Sequence, residues 1–145
     1  MTSGLSRPVL NNPPSEFRMR SRYSDIRPYQ TKDGSEIREL MHPEAHGNRK
    51  QSLAEATMYP SQETVLHKHL RTEELYHITA GAGRMTIGEE SLEVRVGDTI
   101  CIPPGTPHCI QNTGAVPLRI LCCCSPPYTQ DDTILLTGPA GASQA

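Results

Sequence analysis

The stretch His67-Lys68-His69-Leu70-Arg71-Thr72-Glu73-Glu74-Leu75-Tyr76-His77-Ile78 decides how this chain is read. His67 and His69 are separated by one residue, so on an extended strand both imidazoles leave the same face of the sheet. Glu74, Tyr76 and Ile78 share a face in the same way on the stretch that follows. Together with His108, farther along the chain, His67, His69 and Glu74 make a set of imidazoles and a carboxylate that suits one first-row transition-metal ion. Strands alone can assemble such a set, without a helix.

Outward from this stretch the apolar pattern keeps period two, and turn signals recur at short intervals. Asp33-Gly34 precedes a strand through Ile37 and Leu40, and His42 to Lys50 reads as a polar loop. Further strands are expected at Ser52–Tyr59, Val65–Leu70, Glu74–Ala80, Arg84–Ile87, Ile100–Ile102, His108–Asn112 and Leu118–Cys124, with Leu92, Val94 and Val96 sharing the face of another. Gly81-Ala82-Gly83 marks a bend or bulge, Gly88-Glu89-Glu90 a hairpin turn, and Gly97-Asp98 and Pro103–Pro107 two further turns. No segment has the pattern of an ordinary helix. The expectation is an all-β sandwich or barrel over residues 25–130, preceded by a flexible N-terminal arm over 1–24 and followed by a tail over 131–145.

A chain of 145 residues has room for one domain and one core. Its formal net charge of −2 offers no basic footprint for nucleic acid or for an anionic membrane surface. The apolar runs are far shorter than the roughly 20 residues a spanning helix needs, and the N-terminus lacks the apolar core of a secretory signal. A cytoplasmic location is expected. Five cysteines without a CxxC pair argue against a disulfide framework. Cys122 and Cys124 should share one strand face and Cys123 the other, chiefly as small apolar fillers.

Two motifs then carry a resemblance to the cupin superfamily. The first, G-x5-H-x-H-x(3,4)-E-x6-G, is met by His67, His69, Glu74 and Gly81, with Ser61 in the place of the leading glycine. The second, G-x5-P-x-G-x2-H-x3-N, is met at every position by Gly97, Pro103, Gly105, His108 and Asn112. The resemblance implies a double-stranded β-helix, or jelly-roll barrel, of the small single-domain kind. The interval to Gly81 selects Glu74 over Glu73, which strand parity turns to the opposite side. Parity also sets His77 outside the cavity and leaves Tyr76 inside, a candidate catalytic acid beside the metal. Ile110 should wall the pocket, Cys101 is a further candidate wall residue, and Asn112 is expected to tie a turn or line the cavity. His42 and His46 are expected at the surface.

With four protein ligands, His67, His69, Glu74 and His108, an ion that prefers six keeps two positions for reactants. The resemblance implies one divalent transition metal per chain and a small-molecule substrate. With Fe the expected activity is that of a mononuclear non-heme dioxygenase. With Zn, Mn or Ni it is that of a Lewis-acid isomerase, lyase or decarboxylase, in which Tyr76 or Glu74 itself, the two candidate catalytic residues, would shuttle the proton. A non-catalytic small-ligand-binding protein is a further alternative. The resemblance also implies a homodimer.

Overall fold

The computed structural model describes residues 19–136. Residues 1–18 and 137–145, which hold most of the expected arm and tail, lie outside the described residues. The strands are β1 (Tyr29–Gln30), β2 (Glu36–Met41), β3 (Ser52–Met58), β4 (His67–His69), β5 (Glu73–Ala80), β6 (Ala82–Ile87), β7 (Glu90–Arg95), β8 (Thr99–Ile102), β9 (His108–Asn112), β10 (Leu118–Ser125) and β11 (Thr133–Leu135). They form two antiparallel sheets, β1-β2-β3-β10-β5-β8 and β11-β4-β9-β6-β7, laid face to face as a jelly roll. Apart from one 3-10 turn at Tyr23–Asp25, the described residues contain no helix.

Period two in the sequence becomes alternation of burial in the strands. Along β5, Glu74, Tyr76 and Ile78 are buried while Glu73, Leu75 and His77 are exposed. Along β10, Leu118, Ile120, Cys122 and Cys124 point inward. The inward rows of β3, β5 and β10 are graded: apolar at one end of the barrel, where Met58, Ile78, Leu118 and Ile120 pack, and more polar at the other, at Ser52, Glu74 and Cys124. That polarity gradient sets where the site lies.

Glycines close the turns between these rows. Gly81 adopts φ +80°, and a Cβ there would stand 2.8 Å from the Pro117 carbonyl oxygen, so β5 bends into β6 at a place only glycine fits. Ser61, in the glycine position of the first motif, adopts φ +67°, the left-handed region that favours glycine. Asn112 ties a turn, its amide donating to the carbonyls of Met58 and Val116 and its Oδ1 accepting from Gly114 N–H.

Several expectations need correcting. The chain beyond 130 continues the fold: β11 pairs with β4, Thr133 opposite His69. Residues before the expected barrel lie on it as well, with Arg38 stacked 4.5 Å from the Tyr23 ring and the Tyr23 hydroxyl donating to Glu55 at 2.5 Å. Strand β4 is shorter than expected, and Val96 falls past the end of β7, exposed. His42 is buried, accepting from Glu44 N–H through Nδ1 and meeting the Tyr128 carbonyl oxygen at 2.8 Å through Nε2. Polar loops ordinarily run over the surface, but this one folds beneath the segment that follows β10. Cys101 is exposed on the outer face of its sheet, so it does not wall the pocket.

Candidate metal centre

The two sheets contribute different donors. His67 and His69 on β4 and His108 on β9 come from the five-stranded sheet, and Glu74 on β5 faces them from the six-stranded one. All four are buried. Direct pairing of His67 with His108 across β4 and β9 brings the third imidazole to the first two. The loop before His108 is tied in place by Gly105 N–H, which donates to the His69 carbonyl oxygen at 2.7 Å, and by Thr106 N–H, which donates to that of Pro103. The second motif supplies these turn residues, with Gly105 at φ +77°.

Each imidazole is oriented from behind. His67 Nδ1 donates to the Val65 carbonyl oxygen at 2.7 Å, and His108 Nδ1 to that of Thr106 at 3.0 Å. His69 Nδ1 lies 3.0 Å from Thr133 Oγ1, whose own proton goes to the Thr129 carbonyl oxygen, so the hydroxyl must accept. With all three Nδ1 atoms protonated, the three Nε2 atoms turn lone pairs inward, the state in which histidine binds a metal. The three imidazoles lie with their ligating atoms all within 4.8 Å of one another, a group that can hold a metal ion.

Glu74 Oε1 lies 3.3 Å from His69 Nε2 and 3.4 Å from His108 Nε2. Glu74 Oε1 and His108 Nε2 are buried polar atoms without a hydrogen-bond partner. Burial alone would raise the Glu74 carboxyl, and only positive charge beside it, on His108 and His69 or on a cation between them, holds it well below the ordinary range. Burial lowers His67, keeping it neutral. Acceptor facing acceptor in a buried site is costly unless a cation sits between them, and these donor types and spacings fit a divalent transition metal.

The other oxygen, Glu74 Oε2, accepts from the Cys124 thiol at 3.1 Å. Burial, reinforced by the Glu74 charge, pushes the thiols of Cys124 and Cys122 well up, so both stay protonated. Cys124 therefore orients the carboxylate through S–H. Burial and the Glu74 charge also raise Tyr76 well above the ordinary phenol value, leaving its hydroxyl a proton donor; its ring lies 6.1 Å from that of His108. The cavity beyond is walled by Ile37, Ala56, Met58, Ile110 and Ile120.

Sequence reasoning brought together His67, His69, His108, Glu74 and Tyr76, and the structure places all five on this cavity or its rim. It turned Glu73 and His77 outward, where they are found. It missed Asp33, Thr133 and Tyr128, which also line the cavity; the Tyr128 ring stands edge-on to His69 at 5.9 Å. The Asp33-Gly34 turn was visible as a turn, but nothing local in the sequence says which way its carboxylate faces.

This fold and a three-histidine site define a jelly-roll protein equipped to hold a metal ion. Residues 54–124 match the cupin domain model, and the protein belongs to the cupin family. It is 54% identical over 118 residues to an uncharacterized protein of Methanocaldococcus jannaschii, covering 81% of this chain and 94% of that one. It is similar to the crystal structure of a predicted oxalate decarboxylase from Thermotoga maritima, with 27% identity, a TM-score of 0.65, and coverage of 74% of this chain and 98% of that one. The oxalate decarboxylase of Bacillus subtilis shares the fold at a TM-score of 0.70 and 23% identity, over 81% of this chain and 32% of that one.

Proposed function

We propose that the protein is a metal-dependent enzyme acting on a small chelating molecule, a mononuclear non-heme oxygenase of the dioxygenase type, with His67, His69, His108 and Glu74 holding one divalent ion. The observation that carries this reading is the buried convergence of three inward imidazole lone pairs, two of which, those of His69 and His108, face Glu74 Oε1, an oxygen without a proton donor. A bound Fe(II) would supply O₂ chemistry and two open positions for reactants. The chain's own part is to fix the imidazole tautomers from Val65, Thr133 and Thr106, to hold Glu74 through Cys124, and to exclude water with the apolar wall. Tyr76, protonated and on the same strand face as Glu74, is placed to give a proton to a ligand in the cavity.

A Lewis-acid decarboxylase, lyase or isomerase using Mn, Zn or Ni is the second reading, favoured by the likeness to the Thermotoga maritima protein. Oxygen uptake by the Fe(II)-loaded protein over a panel of catechols, hydroxy acids and thiols tests the first. Formate release from oxalate by the Mn(II)-loaded protein tests the second. Uptake with one substrate class, abolished in His108→Ala, is the expected result. Formate release without oxygen uptake moves the assignment to the decarboxylase, and silence in both assays leaves a ligand-binding cupin.

The same reading takes the protein as a homodimer. Its support is an apolar row across the outer face of the six-stranded sheet, where Leu53 pairs with Cys123, Cys123 with Leu75, and Leu75 with Cys101. Leu53 and Leu75 are 36% and 40% exposed.

A further inference from the structure

Asp33 lies on the short connection between β1 and β2, remote in sequence from both motifs, yet its carboxylate reaches the metal centre. Its Oδ2 stands 3.5 Å from His67 Nε2, close to the spacings of 3.3 and 3.4 Å that Glu74 keeps from His69 and His108. The other oxygen is fully engaged: Oδ1 accepts from Thr31 Oγ1 at 2.6 Å, Ser35 Oγ at 2.7 Å and Ser35 N–H at 3.0 Å. The turn itself is anchored, because Val65 N–H donates to the Asp33 carbonyl oxygen at 2.8 Å and Thr31 N–H to that of Ser35. Lys32 fastens it to the segment leading into β11 through the Gln130 carbonyl oxygen at 2.9 Å. One carboxylate oxygen is thus held by three donors so that the other faces His67. A turn needing only an Asx bond would not require a second oxygen at that place.

The charge reaches the rest of the cavity. Burial is what chiefly raises Tyr76, Cys122 and Tyr128, and the Asp33 carboxylate adds to it in each case. Three neutral imidazoles and Glu74 leave a divalent ion a residual positive charge, and a second carboxylate cancels it. An incoming dianion then meets an unfavourable field in a site largely closed to solvent, whereas a ligand with an O–H or N–H finds an acceptor.

Resting on the metal-centre reading above, we propose that Asp33 is a specificity-determining residue of this site, and that it directs the centre to chelators carrying hydroxyl or amine protons and away from dicarboxylates. The substrate class is then that of catechols, hydroxy acids or amino alcohols.

The test uses Co(II)-loaded full-length protein, with visible absorption reporting the binding of two probes of like shape, oxalate as the dianion and oxamide as the neutral N–H donor. Asp33→Asn keeps an oxygen for the three turn donors and removes the charge; Asp33→Ser, whose hydroxyl can also close the turn, is the second variant. Oxalate affinity is expected to rise at least tenfold in either variant that folds, with oxamide affinity unchanged or lower. Oxalate affinity within twofold of wild type, or an equal rise for both probes, overturns the role of Asp33. Co(II) titration of wild type against His108→Ala separates the two levels. Failure of wild type to take up Co(II) overturns the metal centre itself, whereas uptake with unaltered discrimination overturns Asp33 alone.

Discussion

At the scale of single residues, Ser61 shows where a family position and local physics disagree. A left-handed backbone costs an L-residue roughly 1–2 kcal/mol, which glycine avoids at some expense in unfolded-state entropy. Ser61→Gly is therefore expected to stabilise the protein by about 0.5–1 kcal/mol, read as a raised urea midpoint with unchanged slope. His67 gives a second expectation, with the opposite sense on acidification. Burial lowers its pKa below the unfolded value of 6.5, His108 and His69 add to the lowering, and Asp33 opposes it. The unfolded chain takes up its proton first as pH falls, so this contribution is complete above pH 6.5 and is lost below it, at a rate of up to about 1.4 kcal/mol per pH unit for one proton. Urea melts of metal-free protein at pH 7.5 and 5.5 should show a smaller pH effect in His67→Asn than in wild type. The four residues of the candidate metal centre were legible because each lies on a strand whose parity the alternating pattern reveals. Asp33 was not, because a side chain on a turn has no such parity. His42 was misplaced because its loop is covered by Tyr128, 86 residues away, and local polarity carries no trace of so distant a cover.

At the scale of elements, the strands within and between the motifs were legible nearly to their ends, and the two that escaped were the short edge strands β1 and β11. Both are too short to show a period, and both exist because a neighbouring strand, β2 for β1 and β4 for β11, offers unpaired backbone groups. Edge status does not make them incidental: β11 brings Thr133 opposite His69, and the Thr129 carbonyl oxygen fixes which way the Thr133 hydroxyl points. Strand and metal centre are thus joined by one hydrogen bond at 3.0 Å. Replacing Thr133 with Val keeps the volume and removes the acceptor behind His69, and loss of such a partner typically weakens metal binding by about 10- to 100-fold. Competition against a chromophoric chelator should show that loss in Thr133→Val, with a small change in Tm for the metal-free protein. Thr133→Ser, which keeps the hydroxyl, should restore most of the affinity. Equal affinities in all three proteins would show that β11 closes the sheet and no more.

At the scale of the whole molecule, the barrel spends its interior on the site and leaves an ordered surface outside. One row of the outer face, Leu53, Cys123, Leu75 and Cys101, is apolar in register across β3, β10, β5 and β8. The next row, Glu55, Leu121, His77 and Thr99 on the same strands, is mostly polar. Arg119 pairs with Glu55 at 3.2 Å, and Tyr23 lies over that side, so the described N-terminal residues cover the polar row and leave the apolar one open. A two-fold axis through the open row would set each Leu75 against the partner's matching surface and bury it twice, once per subunit. Fully burying a leucine is worth roughly 1.5–3 kcal/mol, and with Leu75 40% exposed the two copies together contribute about 1–2 kcal/mol. An unpaired interface charge adds its desolvation cost, so Leu75→Asp should weaken the proposed dimer more than about tenfold. Leu75→Asp is accordingly expected to sediment as a monomer at concentrations where wild type is dimeric, while His77→Ala, whose ring is held by Thr99 in the polar row, leaves the dimer intact. Because Leu75 points away from Glu74 and Tyr76 on the same strand, the Leu75→Asp monomer should retain the metal affinity of the wild type. A monomeric wild type, or a Leu75→Asp dimer of unchanged strength, would remove this face from the assembly.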